Sequence, residues 1–73
     1  MKIADDQLVR IHNAQYLIQQ AHHLIEGLVE EMPEEEYPGI SERLVKAEKG
    51  LFLVLVDNLN VIAHDAYHSK GEN

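Results

Sequence analysis

His64 and His68 stand four residues apart, the interval that brings two imidazoles onto one face of a helix and lets both reach a single zinc ion. Asp65 and Tyr67 lie beside them, and His12, in the other half of the chain, is a further imidazole for such a site if the two halves fold together. The glutamate of an H-E-x-x-H pattern is missing, and so is every cysteine, which rules out thiolate zinc sites, disulfides and thiol catalysis. The plain alternative is a pair of surface histidines near the C-terminal end of a helix, where the dipole favours positive charge.

Three other groups carry charge or can gain it. His22 and His23 sit among Gln15, Gln19 and Gln20, as a polar rim able to respond to pH or as an uncharged helix surface. Glu26, Glu30, Glu31, Glu34, Glu35 and Glu36 fall in a stretch without Lys or Arg. They form either a solvated tip or a docking surface for a basic partner, and they lack the fixed spacing and glycine of an EF-hand loop. Arg43, Lys46 and Lys49 recur at intervals of three, a basic strip for a nucleic-acid backbone or ordinary surface charge partnered by Glu42 and Glu48.

Catalytic equipment is absent from the sequence. Its two serines are Ser41, beside a turn, and Ser69, near the end. No glycine-rich phosphate loop occurs, and no acid pair stands out from the glutamate-rich stretch. The expectation is a protein that is not an enzyme and calls for no cofactor.

The elements that position these residues are set by where the chain breaks. Pro33, Pro38 and Gly39 cluster between two long arms. In the first arm Ile11, Ala14, Ile18, Ala21, Ile25, Leu28 and Met32 alternate at three and four, with Leu17 and Leu24 widening the stripe, which predicts a helix over about 5–32. Asp5 and Asp6 suit its N-terminal end. An acidic turn follows over 33–40. In the second arm Leu44, Ala47, Leu51, Val54 or Leu55, Asn58 or Leu59, and Ile62 predict a helix over about 41–68, with Ser41 as its N-cap. The run Leu51 to Val56 reads alone as a buried strand, but the sequence offers no second strand to pair with it. Gly27 and Gly50 face one another roughly across such a hairpin and would suit a close approach. The end, 70–73, reads as a disordered tail or as the start of a protease-tag sequence, since Glu-Asn opens a common one. The expected fold is one all-α domain over 1–69, an antiparallel two-helix hairpin.

Composition bounds the rest. With 73 residues the chain is close to the smallest size that buries a core unaided, and such domains add disulfides, a metal or a partner. Hydrophobic residues make up 45%, too many for a disordered chain. The longest apolar run is far too short to span a membrane, and the acidic N-terminus is unlike a signal peptide, so a cytoplasmic location is expected. A net charge of −7 opposes general binding to nucleic acid.

Charge distribution predicts a partner. No Asp, Glu, Lys or Arg occurs from Ile11 to Ile25, and only Asp57 from Gly50 to Ala63. Charge depletion marks an interface core, and two helices cannot cover a second arm that is apolar all round. The expected interface comprises Ile11, Ile18, Leu24, Ile25, Leu51, Phe52, Leu55, Val56, Leu59 and Ile62. A homodimer would close it as a four-helix bundle. The acidic tips favour antiparallel pairing, because like charges then lie far beyond a Debye length of about 8 Å. This architecture resembles the Rop family of small hairpins, which dimerise and bind paired RNA loops. The likeness covers length, hairpin form and dimerisation, and transfers no site residues. Three roles follow as expectations: a protein-interaction module with an acidic tip at Glu30, Glu31, Glu34, Glu35 and Glu36; a Rop-like RNA binder using the basic strip; and a metal- or pH-responsive regulator using His64 and His68.

Overall fold

The computed structural model describes residues 3–71, and among these it contains helices and no strand. Helix α1 spans Asp5–Glu31. Its first turn carries Asp5 and Asp6, and the Gln7 side chain reaches back to accept the Ala4 N–H at 3.0 Å, so the flanking residue is Ala4 rather than an aspartate. Arg10 pairs with Asp6 at 3.1 Å on the surface, a contact of about 0.3–0.5 kcal/mol. Pro33 cannot continue the helix: the Met32 N–H closes onto the Leu28 carbonyl at 2.9 Å, and the Pro33 carbonyl accepts the Tyr37 N–H at 2.9 Å to form the turn.

Helix α2 spans Ile40–Val54, one residue ahead of the expected start. Gly39 takes the flanking position with φ +85°, a torsion only glycine adopts without strain. Ser41 is therefore inside the helix and buried, and makes no capping bond. The chain then passes through a π turn, Leu55–Leu59, into α3, Asn60–Gly71. The run expected as either strand or helix is thus helical throughout. The helix continues past the expected end at 68; residues 72 and 73 of the expected tail lie outside the described residues.

Pairs across the two arms give their direction. Gln15 meets Asn60, and His22 meets Glu48. As one number rises the other falls, so the arms are antiparallel, and the hairpin is a rod of 56 × 16 × 12 Å. The seam of α1 consists of the half-exposed residues Leu8, Ile11, Gln15, Ile18, His22, Ile25, Val29 and Met32, at strictly alternating steps of three and four. Of the expected stripe, Ile11, Ala14, Ile18, Ala21, Ile25 and Met32 are half-buried and only Leu28 is exposed, while Gln15, His22 and Val29 are half-buried beside them. The covered side of α1 thus takes in Ala14 and Ala21 together with the polar Gln15 and His22, each of which has a partner on the other arm.

The second arm keeps Ser41, Leu44, Glu48, Leu51, Leu55, Leu59, Ala63 and Ala66 towards α1. Ala47 and Ile62, expected in this stripe, are exposed. The π turn is the reason for Ile62. In it the Asn60 N–H bonds to the carbonyl of Leu55, five residues back, which inserts one extra residue and turns everything after it by one position. The Asn58 side chain caps the loosened turn by donating to the Leu53 carbonyl at 3.4 Å. Ala63 and Ala66 then take the inward places. A Cβ at Gly27 or Gly50 would meet nothing within 4 Å, so neither glycine serves a close approach within the hairpin.

What results is a seam without a core. Ala66, 3% exposed, is the only buried apolar side chain among the described residues.

Candidate interaction surface

Two polar pairs interrupt the apolar seam. Gln15 Nε2 donates to Asn60 Oδ1 at 2.8 Å. Gln15 Oε1, which can only accept, lies 2.9 Å from His12 Nδ1, so that ring nitrogen carries the proton. About two turns further along α1, His22 Nε2 lies 3.5 Å from Glu48 Oε1, with the two side chains 18% and 27% exposed. The His22 ring also leans on Phe52, centroid to centroid 6.0 Å. Such pairs define the longitudinal register, because sliding one arm along the other would leave four polar groups against aliphatic side chains.

The two flanks of the hairpin differ. One turn-position round from the α1 seam, Ala14, Leu17, Ala21, Leu24 and Leu28 form a second stripe at steps of three and four. On the same flank of the second arm lie Ala47, Val54 and Ile62, placed opposite Leu28, Ala21 and Ala14 by the antiparallel register. Leu24 is 72% exposed and Leu17 65%, and Leu28, Val54 and Ile62 are exposed as well. Between Arg10 and Glu31 this flank of α1 carries no charge. Ala14 and Ala21 alternate along it with the longer Leu17, Leu24 and Leu28. The other flank mixes charged and apolar side chains: His12, Gln19 and Glu26 border it on α1, and an open cleft of ≈ 450 Å³ there is lined by His22, Glu26, Glu48, Lys49, Phe52 and Leu53.

Compared with family models, curated proteins and solved structures, the chain matches none.

The structure divides the ten expected interface residues. Ile11, Ile18, Ile25, Leu51, Leu55 and Leu59 are half-covered in the seam between the arms, whereas Leu24, Phe52, Val56 and Ile62 are exposed. Leu17, Leu28 and Val54 belong with the exposed set, and the repeat at three and four that runs through Leu17, Leu24 and Leu28 was the signal for them.

The charged groups are distributed as follows. Glu30, Glu31, Glu35 and Glu36 are exposed, as is Glu34, whose Oε1 accepts the Gly39 N–H at 3.2 Å and so helps to hold the turn. In the basic strip, Lys46 is paired with Glu42 at 3.4 Å and Lys49 lines the open cleft. His64 and His68 do come together, Nε2 to Nε2 at 3.1 Å, with Asp65 Oδ1 3.9 Å from His64 Nδ1. His12 is engaged with Gln15 instead. The grouping that sequence reasoning missed is His22, His23 and Glu26, which offer ligand atoms all within 4.8 Å of one another. Among the described residues no helix is long and apolar enough to cross a membrane.

Proposed function

We propose that the chain is a non-enzymatic interaction module that works as a homodimer, two hairpins pairing through the Leu17–Leu24–Leu28 flank into a four-helix bundle. The observation that carries this reading is the exposed area. A compact monomer of this mass exposes about 4,600 Å², and this 8.3 kDa chain exposes 5648 Å². The excess, about 1,000 Å² per chain, exceeds the ~800 Å² per partner of a stable specific interface. An uncharged flank lined by alanine and leucine suits a copy of itself, since a twofold axis sets the same surface on both sides.

Antiparallel pairing keeps the acidic tips at opposite ends of a rod 56 Å long, several times the Debye length of about 8 Å. Dimerisation by this flank leaves Phe52, Leu53 and Val56 exposed for a further protein, and leaves Glu30, Glu31, Glu35 and Glu36 free to meet a basic surface. Both would serve an adaptor or regulatory subunit.

Light scattering of the purified chain tests the dimer directly. The expected mass is twice 8.3 kDa at micromolar concentration, with a melting temperature that rises with protein concentration. A monodisperse single chain that unfolds cooperatively would end the proposal.

A further inference from the structure

We infer that His22, His23, Glu26 and Glu48 form a binding site for a zinc-class divalent ion that ties α1 to α2. His22 and Glu26 lie four apart on α1, and His23 and Glu26 three apart, so the three side chains share one surface of the helix. Glu48 approaches from the opposite arm. With zinc–ligand bonds of about 2.0–2.1 Å, tetrahedral donors sit about 3.3 Å from one another. The structure has His22 Nε2 3.5 Å from Glu48 Oε1, and His23 Nδ1 3.7 Å from Glu26 Oε1. Each of these two gaps is a few tenths of an ångström wider than such an edge; Glu48 lies outside the set of ligand atoms that fall within 4.8 Å of one another and reaches it by side-chain rotation. Ligand atoms of His22, His23 and Glu26 all fall within 4.8 Å, a spread that side-chain rotation can close.

The donor set selects the ion. Two imidazoles with carboxylates suit zinc and its neighbours, whereas magnesium and calcium take oxygen ligands. Placement argues for it too. His22 and Glu48 occupy seam positions where an aliphatic pair would pack as well, and a hairpin of this size without cysteine gains most from a tie between its arms. His22, Glu26 and Glu48 line one cleft, and His23 stands between it and a second cleft that it shares with Leu24 and Leu28. Lys49 lines the first of these, and its ammonium competes with the ion for the carboxylates. The His64–His68 pair is weaker on the same criteria, because among the described residues it has no third ligand group within 4.8 Å of both.

Calorimetric titration with zinc chloride, with magnesium chloride as control, tests the site on the intact chain. One zinc per chain is expected, no heat with magnesium, and a melting temperature raised by about 10 °C or more at a hundred times the dissociation constant. His23→Ala and Glu26→Gln alter exposed side chains and should leave the helical circular-dichroism signal unchanged while weakening zinc about tenfold to a hundredfold. Glu48→Gln should weaken it likewise, Lys49→Gln should tighten it, and the His64→Ala/His68→Ala pair should change it little. Absence of zinc binding at millimolar concentration overturns the inference. So does binding that survives His23→Ala and Glu26→Gln but is lost with His64 and His68. Binding indifferent to Glu48→Gln removes the tie between the arms.

Discussion

Leu24→Glu is expected to split the dimer and leave the hairpin largely unfolded at micromolar concentration. In a lone chain the change would be close to silent, because Leu24 is 72% exposed and surface substitutions stay within about 0.5 kcal/mol. In the proposed dimer it lies at the middle of the shared flank and occurs twice. Losing the burial of a leucine costs about 1.5–3 kcal/mol, so the pair loses roughly 3–6 kcal/mol before any penalty for a carboxylate in an apolar contact. That corresponds to a dissociation constant raised by about two to four orders of magnitude. Light scattering and thermal melts at several protein concentrations read both effects. Leu53→Glu, on the outward side of α2, serves as the control and should keep the dimer mass. Should Leu24→Glu behave like that control, the flank is not the interface.

Single-residue deletions should separate the two arms just as sharply. Removing Asp57 takes the surplus residue out of the π turn. The inward positions Glu48, Leu51, Leu55, Leu59, Ala63 and Ala66 then follow at three, four, three, four and three, the regular helical alternation, so both halves of the arm keep their faces. The expected cost is within about 1 kcal/mol, because the π turn itself is a poorer hydrogen-bonding arrangement. Removing Asn13 from α1, an exposed residue, has no such relief. Everything before it rotates by about 100°, and Leu8 and Ile11 leave the seam at about 1.5–3 kcal/mol each for full burial. At about 4–8 °C per kcal/mol for a chain of this size, thermal melts followed by circular dichroism will distinguish the two readily. A collapse on deleting Asp57 would mean that the turn is required by the fold.

Much of this hairpin was legible in the amino-acid order, for identifiable reasons. Pro33, Pro38 and Gly39 act through local torsions, so their clustering places the turn without reference to anything distant. The lack of charge from Ile11 to Ile25 marks an apolar middle, and the structure leaves Leu17 and Leu24 exposed there. What hydropathy alone could not show was that Gln15 and His22 join Ala14 and Ala21 on the covered side of α1. Their partners, Asn60 and Glu48, lie far along the chain, so the pairing depends on the register of the two arms. The π turn was hidden for a related reason. Its five residues, Leu55 to Leu59, suit an ordinary helix, and the extra residue shows only in which later side chains face α1. The cluster at His22, His23 and Glu26 follows from helical spacing, but Glu48 joins it only once the register is known.

The torsion at Gly39 has a stereochemical consequence. A methyl group there would have open room, since nothing lies within 4 Å of where it would stand. The obstacle is handedness, because φ +85° belongs to the mirror-image half of the map for L-amino acids. L-Alanine at this position strains the backbone by about 1–3 kcal/mol. D-Alanine, introduced by chemical synthesis, meets no such conflict and narrows the freedom of the unfolded chain by an amount worth about 0.4–1 kcal/mol. Two enantiomers of one side chain, at one site, should therefore shift the stability of the hairpin in opposite directions.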